Sequence, residues 1–334
     1  MNIVRFLFVA VLALNTAGCG TFVAHSIVRA PNFYPAWLAP HAPVSLAFSP
    51  KLLTNFVTHY VAVGPPPARL AYRVIEPADF HLKITSTNWW EHHQEQFEFS
   101  FRATVPGQSN AWTATPRGTV VLLHGYGLAQ FSMLPWALDL AQQGWRCVLV
   151  DLRGHGKSSG RRVYFGIVET NDLSELLDAL ARDKISNGPV AVVGESYGAA
   201  LALRWKTVEP RVHAVVAIAP YGSLSNAVLN ICRDYAGWVP SAIIKSGLKK
   251  VPSVLHVPAS ELDTTTVLQR KPVAALFVAG ADDKIAPVED VKQLCSLALP
   301  GSKLLVVPDA THEALTYYFA DLDPAVQSWL AGEK

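Results

Sequence analysis

The chain has 334 residues, 50% of them hydrophobic and only 16% charged, with 28 Lys+Arg against 26 Asp+Glu for a net charge of +2. Apolar content this high supports a large buried core and excludes intrinsic disorder. The near-balance of charge argues against a dedicated nucleic-acid binder, which needs a concentrated basic surplus; no nucleic-acid partner is expected. The length fits one large α/β domain or two smaller ones.

The first twenty residues read MNIVRFLFVAVLALNTAGCG. Arg5 gives a positive start, Phe6 to Leu14 is an unbroken apolar run, and the small residues Thr16, Ala17 and Gly18 follow. Such a run is too short to cross a bilayer as a permanent helix but suits a secretory signal. Its end, Ala17-Gly18-Cys19, resembles the lipobox of bacterial lipoproteins, with Thr16 standing where an aliphatic residue is usual. The resemblance implies a signal peptide over 1–18 and acylation of Cys19 as the mature N-terminus. The exported domain would then hang by lipid from a membrane surface of the bacterial cell envelope. An ordinary cleaved signal, giving a periplasmic or secreted protein, and an uncleaved anchor use the same run. Loss of residues 1–18 removes only Arg5 among the charges and leaves a net of +1.

With Cys19 set aside, Cys147, Cys232 and Cys295 remain at wide spacings. They form neither a disulfide framework nor a zinc pattern, and the sequence selects no pairing among them. Cys147, at the head of an apolar run, reads as a small core residue.

Residues 19–73 carry many prolines, including Pro65-Pro66-Pro67. This reads as an extended arm with a short helix around Lys51 to Tyr60, and the domain is expected from 74 to 334. Strand character appears at His81 to Thr87 and at Gln96 to Ala103. The second stretch alternates Phe97, Phe99 and Phe101 with Glu98, Ser100 and Arg102, the period-two pattern of a half-buried antiparallel strand. After Gly118 come six short apolar runs, at 119–125, 147–154, 190–196, 214–220, 273–280 and 303–309. Continuous apolarity means burial on both faces, as in parallel strands covered by helices. Amphipathic segments lie between them, at Phe131–Gln143, Asn171–Lys184, Tyr197–Val208 and Val288–Ala298. The expected architecture is α/β, with a mostly parallel sheet wound right-handedly. The connection over about 221–271 is longer than its neighbours and reads as a helical insertion, with pieces near Ser225–Asp234 and Pro240–Lys250.

The strongest local signal is Gly194-Glu195-Ser196-Tyr197-Gly198, between VAVV and AALALRW. Strand before, helix after and glycine at both flanks predict a nucleophile elbow that holds the Ser196 hydroxyl above the strand ends. Such a hydroxyl needs a general base, and the base an orienting carboxylate. His312, just past the last strand, supplies the base. Asp282 and Asp283, after FVAG, both offer the acid.

Here the chain resembles the α/β-hydrolase family over roughly residues 80–332. HGYG at 124–127 is similar to the family's oxyanion turn, DLRGHGKSSG at 151–160 to its D-x-R-G-x-G-x-S loop, and GADDKIAP at 280–287 to its acid turn. The resemblance selects Asp283 over Asp282. It implies an eight-stranded α/β-hydrolase sheet with a helical lid, and it points toward monoacylglycerol-lipase-like and serine-aminopeptidase-like hydrolases. The oxyanion donors it implies are the backbone N–H groups of Tyr126 and Tyr197. His124 then shapes the oxyanion turn, Arg153 and His155 are structural hydrogen-bonders, and Glu195 is a neighbour of the elbow rather than a catalytic acid. Trp89-Trp90-Glu91-His92-His93 completes no metal-ligand pattern and reads as a hairpin turn. No metal or organic cofactor is expected.

The expected reaction is hydrolysis of a carboxylic ester, with a mono-acylated lipid as one substrate class. Amide, thioester and acyl-transfer chemistry would use the same triad, and a non-catalytic binding protein of this fold is the remaining alternative. In the insertion, Val228, Leu229, Ile231, Trp238, Ile243, Ile244 and Leu248 give apolar faces, with Lys245, Lys249 and Lys250 interspersed. They serve either to cover an acyl group or simply to pack the lid.

Overall fold

A computed structural model of the chain describes residues 16–33, 56–91, 94–104, 115–186 and 188–332. Helix α1 spans Thr16–Ile27. Strands β1 (His59–Val63) and β2 (Ala68–Ile75) form a hairpin, and β3 (Lys83–Glu91) and β4 (Gln94–Arg102) form a second one. Strands and helices then alternate: β5 (Thr119–Leu123), α2 (Leu134–Gln142), β6 (Arg146–Asp151), α3 (Glu169–Arg182), β7 (Val190–Glu195), α4 (Tyr197–Val208) and β8 (Val212–Ile218). The insertion holds α5 (Leu224–Ala236), α6 (Ser241–Leu248), α7 (Val251–Leu255) and α8 (Thr264–Arg270). The chain ends with β9 (Leu276–Gly280), α9 (Val288–Ser296), β10 (Lys303–Val307) and α10 (Phe319–Ala331).

Eight strands make one sheet in the order β1-β2-β6-β5-β7-β8-β9-β10. From β6 to β10 all pairings are parallel; β2 runs antiparallel to both β1 and β6. Strands β5, β6 and β7 alternate Val and Leu toward two separate cores. One core packs Val121, Leu123, Val148 and Val192 against α3 and α4; the other packs Val120, Leu122, Leu149 and Val193 against α2 and α10. Burial on both faces is why these strands read as continuous apolar runs. Cys147 is fully buried in β6, and it, Cys232 and Cys295 are free thiols.

Two expectations are corrected. The segment expected to be an arm up to residue 73 contributes β1 and β2 to the sheet, so the domain begins before 74. The Pro65-Pro66-Pro67 run is the turn between these strands, where proline costs no ladder hydrogen bond. The helix expected around Lys51–Tyr60 lies partly outside the described residues; the described part, 56–60, is not helical and ends in β1.

The other hairpin, β3–β4, stands as its own two-stranded sheet in the register Lys83↔Arg102 through Glu91↔Gln94. The phenylalanine alternation seats it: Phe99 and Phe101 are buried, with the Phe99 ring 4.8 Å from Tyr317 and 5.8 Å from Phe319. Trp89 to Glu91 still belong to β3 rather than to a turn, and His92 and His93 lie outside the described residues.

Helix α1 packs on the insertion rather than trailing from it. Its Val23 and Ala24, with Val28 just beyond, are buried, and Lys250 donates to Thr21 Oγ1 at 3.0 Å. The following residues dock on the 154–163 loop. Asn32 Nδ2 donates to the carbonyls of Gly156 and Ser158, both at 3.0 Å, and Val163 N–H donates to the Val28 carbonyl at 2.9 Å.

Candidate active site

Strand β7 ends at Glu195 and α4 begins at Tyr197, so the reversal falls on one residue, Ser196, with φ 51° and ψ −110°. A left-handed non-glycine residue is costly and must be held by its surroundings. Here its N–H donates to the Ile218 carbonyl of β8 at 2.8 Å. The flanking glycines permit the crossing: a Cβ on Gly198 would lie 2.3 Å from the Leu123 carbonyl oxygen, and one on Gly194 2.3 Å from that of Gly198. The elbow lifts the serine out of the sheet, as its motif predicts.

The loop after β10 brings His312 to it. Nε2 of His312 lies 2.9 Å from Ser196 Oγ, and Nδ1 lies 2.7 Å from Asp283 Oδ2. The other carboxylate oxygen of Asp283 accepts from the backbone N–H groups of Ile285 (2.8 Å) and Ala286 (2.7 Å), which fix its plane. Asp283 is buried, whereas Asp282 beside it is exposed. The Asp283 carboxylate requires a proton on Nδ1, leaving Nε2 free to accept from the serine. Burial works against protonation of His312. The charge and hydrogen bond of Asp283, with Glu313 and Glu195 behind, more than offset it and hold the pKa above its ordinary value.

Beside this chain of three groups stand the turn at 124–127 and the start of α4. Tyr197 is the first residue of α4, so its N–H has no acceptor within the helix and points out of the positive end of the dipole. Gly125 borders the elbow: a Cβ on it would lie 3.7 Å from the Ser196 Cβ, in ordinary contact, and Tyr126 follows it in the chain. His124 shapes that turn. It is fully buried; Leu152 N–H donates to its Nε2 at 3.0 Å, so Nδ1–H donates to the Gly125 carbonyl at 2.8 Å. Burial drives its pKa down to about 4, which keeps the ring neutral. Burial, with His124 alongside, takes His155 down to about 3.

The remaining loop residues are structural. Arg153 and Asp172 form a buried bidentate pair at 2.6 Å. Asp151 accepts from the Gln130 backbone and side chain and from Lys157 N–H, at 2.7–2.9 Å.

Some contacts have no local signature in the sequence. Asn230 of α5 donates to the Ile285 carbonyl at 3.1 Å, and Tyr235 donates to Glu313; both tie the insertion to the loops that carry Asp283 and His312. Tyr126 Oη donates to the Arg29 carbonyl at 3.2 Å, joining the oxyanion turn to the N-terminal segment. The apolar residues singled out in the insertion do not form one buried underside. Leu248 is buried, Val228, Leu229, Ile243 and Ile244 are half-buried, and Ile231 and Trp238 are exposed. The lid is seated instead by Leu224, Ala227, Val251, Leu255 and Leu268.

Residues 114–264 match the family model described as serine aminopeptidase, S33. The uncharacterised protein YqkD of Bacillus subtilis is 24% identical over 204 residues, which is 60% of this chain and 66% of that protein. A monoacylglycerol lipase of Mycolicibacterium smegmatis is 28% identical over 178 residues, 51% of this chain and 58% of that one. The chain thus spans less than two thirds of the length of these relatives. Among solved structures, the Pyrococcus furiosus esterase Pf2001 superposes with a TM-score of 0.61 at 19% identity, covering 91% of this chain and 97% of the esterase. The sheet order, the elbow and these likenesses give the chain the α/β-hydrolase fold.

Proposed function

We propose that the chain is a serine hydrolase that cleaves carboxylic esters through an acyl-enzyme. The observation that carries this reading is the continuous Ser196–His312–Asp283 hydrogen-bond chain, with links of 2.9 and 2.7 Å on a strained elbow. Ser196 Oγ attacks the acyl carbonyl as His312 Nε2 takes its proton, and Asp283 stabilises the imidazolium. The oxyanion is met by the N–H groups of Tyr126 and Tyr197, each worth about 3 kcal/mol by analogy with other oxyanion donors. Collapse expels the alcohol with the proton from His312. Water, deprotonated by His312, then attacks the acyl-serine; the acid leaves and Ser196 regains its proton.

A mono-acylated lipid is the substrate class we favour, on the similarity to a monoacylglycerol lipase. The family model, described from aminopeptidases, supports amide cleavage as the second reading. Rates on p-nitrophenyl esters of increasing chain length, beside aminoacyl p-nitroanilides, decide between them. Faster turnover of medium or long acyl esters supports the lipid-ester reading, and turnover of the anilides alone overturns it.

We further propose that Cys19 is acylated after removal of residues 1–18. The packed residues of α1 and its extension, Val23, Ala24 and Val28, all follow Cys19, so this cut leaves that contact with the domain intact. Among the described residues, no helix is long and apolar enough to cross a membrane. Mass spectrometry of the mature N-terminus tests the proposal: a diacylglyceryl mass on Cys19 supports it, and an unmodified Cys19 or a different start rejects it.

A further inference from the structure

Glu195 is the last residue of β7, directly before Ser196, and only 6% exposed. Among the described residues its Oε2 is fully enclosed with no hydrogen-bond partner. Its Oε1 faces the oxyanion turn, 3.4 Å from where a Cβ on Gly125 would stand. A buried carboxylate oxygen without a partner costs free energy that the fold must offset elsewhere, which makes the group a candidate for a functional role. The charged and titratable groups that bear on it come from two elements: His312 on the loop after β10, and the Tyr317 hydroxyl in the turn before α10. His312 in turn feels Asp283, Glu313 and Glu195. Within the triad, Asp283 is anchored by backbone N–H groups and touches Nδ1. Among the described residues Glu195 has no such anchor, and it directly precedes Ser196, whose Oγ lies 2.9 Å from His312 Nε2.

We propose that Glu195 is a positioning residue for the reaction, a second carboxylate whose negative charge stabilises the His312 imidazolium as Ser196 attacks. This rests on the serine-hydrolase reading above. Inside a dry site a charge acts at greater strength than in water. Burial lifts the Glu195 carboxyl to about 7, with His312 pulling the other way, so the charge is present on the alkaline side of neutrality. There the proton transfer from Ser196 to His312 puts a cation beside it. Below neutrality Glu195 takes up a proton and the stabilisation fades, so it steepens the acidic limb that His312 already imposes.

The test is the pH profile of kcat/KM on a p-nitrophenyl ester for wild type, Glu195→Gln and Glu195→Met, with fluorophosphonate labelling of all three. Both variants remove the charge, so the acidic limb is expected to move down by roughly half a pH unit or more. The plateau of kcat should fall several-fold while KM stays within about twofold, and all three proteins should label. Glu195→Asp, which restores a carboxylate, should recover part of both effects. Thermal melting at pH 8 adds a readout that separates this role from packing. Removing an orphaned buried charge should leave both variants at least as stable as wild type, whereas a group that serves the fold would lower Tm. Profiles that superimpose on wild type overturn the proposal alone. Absence of labelling in the wild type overturns the hydrolase reading and this proposal with it.

Discussion

Tyr235, near the end of lid helix α5, donates its hydroxyl proton to the carboxylate of Glu313, the residue that follows His312. The contact joins the insertion to the loop that carries His312, and Asn230 repeats the connection at the loop that carries Asp283. Tyr235→Phe removes the donor and keeps the ring. Loss of one hydrogen bond to a charged group at a half-open surface should lower kcat/KM by about three- to tenfold. Global stability should change little. Steady-state kinetics with a melting curve checks both halves of that expectation.

The pH dependence follows from His312. Its imidazole must be neutral to accept the serine proton, and its pKa lies above the ordinary 6.5 because Asp283, Glu313 and Glu195 outweigh burial. Activity is therefore lost as pH falls through that raised value, and the midpoint of the acidic limb should lie above 6.5. Asp283→Asn removes the largest stabilising charge. The limb should move to lower pH and kcat should fall by about 10⁴-fold through the wrong tautomer. A rate profile from pH 5 to 9 is the measurement.

Gly198 carries a packing constraint that can be read without kinetics. Gly198→Ala would drive a methyl group to 2.3 Å from the Leu123 carbonyl oxygen and 2.8 Å from that of His124. Strands β5 and β7 are paired there and cannot simply part. The substitution should destabilise the protein by about 1–3 kcal/mol. Urea unfolding of the variant beside wild type checks it, and an unchanged midpoint would show that the elbow is looser than this geometry requires.

A second pH effect is remote from the site. Asp139 on α2 is held at a pKa of about 8 by burial and by Asp323 beside it, with Gln143 and Gln327 donating to it. A carboxyl raised in the folded state contributes stability that is fully present below its unfolded value of 3.8 and is lost as pH rises through about 8. Asp139→Asn should therefore raise stability by roughly 1–2 kcal/mol at pH 9 and by nothing measurable at pH 4. Thermal melts at the two pH values compare them directly.

Much of this arrangement was legible in the sequence, for physical reasons that also explain the omissions. Strands β5 to β8 are buried on both faces, so their composition alone announces them. Gly194, Ser196 and Gly198 serve a turn whose geometry admits few other residues. Asp283 and His312 follow strand ends in chain order, and the acid turn separates Asp283 from Asp282 by burial. The hairpin of β1 and β2 was hidden because Pro65-Pro66-Pro67 signals a linker as readily as a turn. Pairing of Ala71 with Asp151, across the sheet from a distant strand, decides between them. The isolation of Glu195 and the contacts of Tyr235 and Tyr126 depend on what the fold places opposite them, and no local pattern encodes that. In the insertion, apolar spacing correctly indicated helices but not which side faces inward. The seating residues come from positions such as Ala227 and Val251, set by the neighbouring helices.

The central claim is that Ser196 is an activated nucleophile. Exposure of the purified protein to a fluorophosphonate probe, with Ser196→Ala alongside, tests it most directly. Covalent labelling of the wild type at Ser196, absent in the alanine variant and weakened by His312→Ala, is the expected result. A well-folded wild type that stays unlabelled, or a variant that labels equally well, would contradict it.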